Sequence, residues 1–187
     1  IGTSTGGPNA LHSLFKQIPA DFQHPIFVVQ HMPAGFTKAF AERLDEFSKI
    51  KVKEAENGEN VVSGTAYIAP GNYHMKVQRK DQNAFIELEQ GPLVNGHRPS
   101  VDVTFDSLRA CYGNALVGVI MTGMGKDGAD SIKRVKEVGG FTLAQDEKTS
   151  VIYGMNRQAI EGGGIDQVLP LAEIVPNIIR IIKERGN

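Results

Sequence analysis

Four short apolar runs, "PIFVVQ", "NALVGVIM", "FTLAQD" and "QVLPL", constrain this chain more than any other feature. A run of this length without polar alternation reads as a strand covered on both faces. Stretches of helical periodicity stand between such runs, and strands joined by helical crossovers lie parallel. Leu11, Leu14 and Phe15 mark a helix within Pro8 to Ile18, and Phe40, Leu44 and Phe47 mark a second, with Thr37 as its expected N-cap. A third is expected from Val101 to about Tyr112 with Ser100 as N-cap, and a fourth opens near Asp130, itself the expected cap. "AEIVPNIIRIIKER" should close the chain as a helix whose basic end suits the negative end of its dipole. From Lys51 to Gln90 the texture changes to "KVKEA", "TAYIAP", "HMKVQ" and "FIELE", broken by "NG", "SG" and "PGN". That pattern predicts strands and hairpins inserted in or appended to the main sheet. The expected fold is α/β: a Rossmann-like, doubly wound, mostly parallel sheet with helices on both faces and a small antiparallel hairpin region. Function should then sit beyond the carboxyl ends of the strands.

The first residues, "IGTSTGGPNALHSLF", place a G-x-S-x-G pattern at Gly2 to Gly6, between a first strand and a first helix. Such a turn exposes a nucleophilic serine, here Ser4. It can equally cradle an anion, because the free N–H groups of the following helix point into it. With 21 glycines in 187 residues, chance produces the pattern in about one chain in ten, so the motif needs partners.

A serine hydroxyl becomes a nucleophile when a general base lies within reach. Of the five histidines, His12 falls in the first helix and His24 precedes a strand, where solvated or packing roles suffice. His31 ends "PIFVVQH", so its strand delivers it to the same sheet edge as Ser4. Asp127, in "TGMGKDGAD", follows the apolar strand and reaches that edge too. A carboxylate there can hold the imidazole in one tautomer and stabilise the imidazolium. Each residue also has an ordinary reading, as a loop histidine and as a turn aspartate. The glycines around Met124 leave backbone N–H groups free to aim at an oxyanion, whereas the Met124 side chain reads as packing. Arg98, in "HRPSVD", belongs to a capping cluster or clamps an acidic substrate, and Gln145 and Asp146 have turn roles or reach the same edge.

Other classes are disfavoured. Twenty basic and 21 acidic side chains argue against a nucleic-acid partner held by phosphate contacts. The single cysteine, Cys111, fits a reducing, cytoplasmic setting. No apolar run of about 18 residues predicts membrane insertion. Neither a P-loop nor a G-x-G-x-x-G fingerprint is present, and no His or Cys spacing suits a metal, so no metal or cofactor is expected. The chain starts at Ile1, inside what reads as a strand, which is the expectation for a piece of a longer protein.

Taken together, "GTSTGGP", "VVQHMPAGFTKAFAERLD", "YIAPGNYHM", "RPSVD", "MTGMGKDGA", "AQDEKTSVIYGM" and "VLPL" resemble the catalytic domain of the bacterial chemotaxis protein-glutamate methylesterases, in order and over nearly the whole chain. The resemblance implies a Ser-His-Asp triad at Ser4, His31 and Asp127, a main-chain oxyanion contribution at Met124, and a supporting hydroxyl at Thr5. It implies one catalytic domain over residues 1–187, hydrolysis of glutamate γ-methyl esters on chemoreceptor cytoplasmic helices with release of methanol, and deamidation of receptor glutamines in many members. A receiver domain, absent from this chain, would cover the site until phosphorylated. One departure is "GMNRQAI", where the family pattern has proline at Asn156, a change expected to alter rigidity at a helix start. Two other readings remain: a serine esterase or amidase of this fold with another substrate, and a non-catalytic anion-binding module.

Overall fold

The computed structural model describes residues 1–186. Strand β1 (Gly2–Thr3) turns into helix α1 (Gly7–Phe15), followed by β2 (Ile26–Gln30), α2 (Thr37–Phe47), β3 (Lys51–Glu54) and β4 (Thr65–Ile68). A hairpin of β5 (His74–Lys80) and β6 (Asn83–Glu89) precedes α3 (Val101–Tyr112), and a 3-10 turn (Gly113–Ala115) leads into β7 (Val117–Ile120). The chain finishes with α4 (Ala129–Glu137), β8 (Phe141–Gln145), α5 (Met155–Glu161), β9 (Gln167–Leu169) and α6 (Leu171–Arg185).

Seven strands form one sheet in the order β3-β4-β2-β1-β7-β8-β9, and all its pairings are parallel. The winding reverses at β1, between β2 and β7, which is the topological switch point where open α/β sheets bind ligands. Strict alternation along the central strands divides the core. Val28, Val119 and Leu143 face α1, α2 and α6, whereas Phe27, Val29 and Ile120 face α3, α4, α5 and the hairpin. Each fully buried Leu, Ile or Phe in these layers contributes about 1.5–3 kcal/mol.

Several local expectations are corrected. Strands β3 and β4 are parallel members of the main sheet, so the stretch from Lys51 to Gln90 contains one hairpin only, β5–β6. Thr37 does not cap α2, because its hydroxyl donates to Glu54 Oε1 and accepts from Gly71 N. That bond pair staples α2 to the ends of two neighbouring segments. Helix α4 begins at Ala129 with Gly128 as its N-cap, which leaves Asp130 inside the first turn.

Candidate active site

The parallel strands bring the chosen residues to one edge. At the end of β1 the chain bends sharply: Gly7 N donates to Ser4 O (2.8 Å), and Gly6, at φ 84°, occupies the left-handed conformation that glycine tolerates best. Ser4 N donates to Thr122 O (3.0 Å), which ties the turn to the loop after β7. Pairing of Thr3 with Gln30 puts Ser4 and His31 next to each other, each just past the end of one of two adjacent strands. The Gln30 amide then bridges them, donating from Nε2 to Ser4 O (3.1 Å) and to His31 O (3.0 Å).

His31 Nε2 donates to Asp127 Oδ2 (2.8 Å). A carboxylate only accepts, so Nε2 carries the proton and Nδ1 holds the free lone pair. Nδ1 is buried and takes part in no hydrogen bond, with Ser4 or with any other described residue. Catalytic hydrogen bonds commonly close only when substrate is bound.

Asp127 is 1% exposed and fully paired. Oδ2 also accepts from Val101 N (2.7 Å), and Oδ1 accepts from Ser100 Oγ (2.7 Å), Asn95 Nδ2 (3.1 Å) and Asp102 N (3.3 Å). Burial alone would raise its pKa, but hydrogen bonds from His31, Ser100, Val101 and Asn95 outweigh that and hold the carboxyl below its ordinary value. The first N–H groups of α3 are thus capped by a side chain from another loop, at the positive end of the helix dipole. Ser100 sits at the N-cap position but makes no capping hydrogen bond; its hydroxyl serves Asp127 instead.

The loop after β7 is held by Thr122. Its N–H donates to Gln145 Oε1 (2.9 Å), its hydroxyl donates to Thr5 O (2.8 Å), and the same oxygen accepts from Val151 N and Ile152 N (both 3.1 Å). Gln145 is therefore a buried structural amide, and Asp146 closes a turn on Thr149. Among the described residues no hydrogen bond engages the N–H groups of Thr5 and Met124. Thr5 is exposed and its hydroxyl is not bonded to His31. The Met124 side chain is 66% exposed, which corrects its reading as packing: the strand has ended and the loop carries it outward.

Some expected roles lie elsewhere. Arg98 donates to Gly91 O and Asn72 Oδ1, clipping its own loop. His12 packs edge-on against Phe47, and His24 lies near Phe22. Asn156 does more than loosen a helix start: it is buried and donates from Nδ2 to Gln145 O (2.6 Å) and Ser150 Oγ (3.2 Å). Asn95 and His97 were not singled out by sequence reasoning, although the "NG" turn at Asn95–Gly96 was the available signal.

A small cavity of about 270 Å³ opens beside His31, lined by Met32, Pro33, Leu93, His97 and Arg98 among others. A larger cavity, about 640 Å³, lies at the opposite edge, lined by Ile1, Ile26 and Val117 among others. Its apolar walls bring no cluster of chemically active groups together, whereas the smaller space is bordered by His31 and His97.

A parallel α/β sheet with serine, histidine and a buried aspartate gathered at its switch point defines the class to which this molecule belongs. Within that class the chain belongs to the CheB methylesterase family, whose family model matches residues 1–178. It is 51% identical over its whole length to a protein-glutamate methylesterase/protein-glutamine glutaminase of Archaeoglobus fulgidus and covers 54% of that relative. A relative of the same description from Pseudomonas aeruginosa is 46% identical, again over all of this chain and 53% of its own length. The chain thus spans about half the length of these curated relatives. The crystal structure of the Thermotoga maritima CheB methylesterase catalytic domain superposes with a TM-score of 0.94 at 44% identity, covering 96% of this chain and 95% of that one.

Proposed function

We propose that this chain is the catalytic part of a protein-glutamate methylesterase that acts on γ-methyl esters of chemoreceptor glutamates. The observation that carries the reading is the His31–Asp127 pair: one imidazole nitrogen bonded to a buried carboxylate, the other unpaired, just past the end of the strand next to Ser4. In this mechanism His31 Nδ1 takes the Ser4 proton as Oγ attacks the ester carbonyl. Asp127 holds the ring and offsets the imidazolium charge. In this reading the N–H groups of Thr5 and Met124, which no hydrogen bond engages among the described residues, receive the oxyanion, and the Thr5 hydroxyl is a further proposed support. Methanol leaves with the proton returned by His31, and water repeats the sequence to free the glutamate. Ammonia replaces methanol when the acyl donor is a glutamine, the second activity carried in the relatives' names.

The small cavity bordered by His31 is the proposed approach for the substrate side chain, and exposed Leu93 on its wall offers a protein substrate an apolar contact. No helix among the described residues is long and apolar enough to cross a membrane. A receptor's cytoplasmic part is the proposed partner, met in the cytoplasm, with a receiver domain of the full protein as the proposed regulator. The test is methanol release from a methylated receptor cytoplasmic fragment. We expect turnover by the parent and a loss of at least about 10³-fold in Ser4→Ala, with the fold intact. Equal release by both proteins would overturn the assignment.

A further inference from the structure

His97 lies flat on the proposed base. The two imidazoles stack with centroids 3.7 Å apart and planes 11° from parallel, closer than the roughly 4.5–7 Å usual for aromatic pairs. His97 arrives there on a two-residue turn. Asn95 (φ 52°) and Gly96 (φ 79°) are both left-handed, and His97 N to Val94 O (2.9 Å) and Val94 N to His97 O (3.1 Å) close the turn. The turn is anchored on the site itself, because Asn95 Nδ2 donates to Asp127 Oδ1 (3.1 Å) and to Asp102 Oδ2 (2.6 Å). On its other side Arg98 is fixed to Gly91 O and Asn72 Oδ1. One carboxylate therefore receives both the base and the turn that lays a second ring over the base.

We propose that His97 is a positioning residue: its ring holds His31 in the orientation that offers Nδ1 to Ser4 and gives the imidazolium formed in turnover an aromatic face to lie against. This rests on the reading of Ser4, His31 and Asp127 as a triad. A ring held only by its Nε2 hydrogen bond can still pivot about that bond, and a stacked plane removes the freedom. The electrostatics agree with the geometry. Burial, then the charge of His31, push the His97 pKa below its ordinary value, with Asp127 opposing. With its pKa lowered, the His97 ring presents a neutral π face to the imidazolium that the proposed mechanism forms on His31.

Leucine and phenylalanine at position 97 separate an aromatic face from mere filling of space. The readouts are the rate at which a small fluorophosphonate labels Ser4, which needs the base but no natural substrate, and kcat and KM on the methylated receptor fragment. His31→Ala and thermal melting serve as controls. We expect His97→Leu to lower both kcat and the labelling rate by about tenfold with KM little changed, and His97→Phe to recover to within about threefold of the parent. Parental rates in His97→Leu, or equal losses in the two variants, would overturn the proposal. So would a change confined to KM, which would make His97 a substrate contact. Undiminished labelling in His31→Ala would instead remove the triad reading beneath it, and the two failures are told apart by that control alone.

Discussion

Asp127 has five donors on two oxygens and no exposure to water worth the name, so every one of those donors depends on its charge and its acceptor-only character. Asparagine there must turn an NH₂ group toward donors whichever way the amide lies: toward Val101 N and His31 Nε2, or toward Ser100, Asn95 and Asp102. In the first orientation the imidazole can accept only by moving its proton to Nδ1, the nitrogen proposed to take the Ser4 proton. We expect Asp127→Asn to lower kcat by about 10⁴-fold, as the wrong tautomer does in related triads, and to cost about 1–3 kcal/mol from mismatched buried groups. Methanol-release kinetics and a urea midpoint measure the two effects separately. At this scale the sequence was informative about residues that strands deliver directly: Ser4, His31 and Asp127 each follow a strand, and their shared edge follows from parallel pairing. Of Asn95 and His97 it signalled only the turn at Asn95–Gly96, because their roles arise from the way that turn reaches across to another loop. Thr37 and Ser100 show the same limit: both have the chemistry of caps, and tertiary partners claimed their hydroxyls.

Elements succeed or fail as readings according to how much of their pattern is local. Helix α3 and the buried strands were legible because periodicity and length reside in consecutive residues. Strands β3 and β4 were not distinguishable from hairpin arms, since four alternating residues look alike whether the neighbour comes from the next turn or from a crossover. The loop between β7 and α4 is tighter than its glycines alone reveal. A Cβ on Gly123 would lie 2.3 Å from Met155 Sδ and 2.8 Å from Ser4 Cβ. Gly123 also accepts from Gly154 N (3.0 Å) and Met155 N (2.9 Å) through its carbonyl, so its backbone has little room to retreat. The methyl of Gly123→Ala must therefore displace Ser4 or the start of α5. A loss of about 1–3 kcal/mol is expected from the overpacking, with kcat reduced about 10²-fold by a shift of the nucleophile of order 1 Å. Retained kcat together with a retained melting temperature would show that the turn yields more easily than this packing implies.

Across the whole molecule, the switch point concentrates chemistry and stability in one carboxylate. The same Asp127 that orients His31 also caps α3, and α3 packs on the hairpin and on α4, so its ionisation is linked to the integrity of one face of the sheet. The sign follows from the lowered pKa. The folded state holds a proton on Asp127 less tightly than the unfolded chain does, so this contribution is complete above the unfolded carboxylate value of about 3.9 and is lost as pH falls below it toward the folded pKa. Asp45 adds to the acid dependence in the same direction, its pKa lowered because the bonds from Lys51 and Val52 outweigh its partial burial, but the exposure of its partner Lys51 to solvent makes that share small. The expected outcome is that unfolding free energy, measured by urea titration at a series of pH values, falls more steeply below about pH 4 for the parent than for Asp127→Asn. The difference between the two curves should narrow with acid, because the parent is surrendering the interaction that the variant never had. Parallel curves would mean that the hydrogen bonds of Asp127 survive protonation. The carboxylate would then serve the fold through shape and the base through charge, two roles that this sheet would hold on one residue without coupling them.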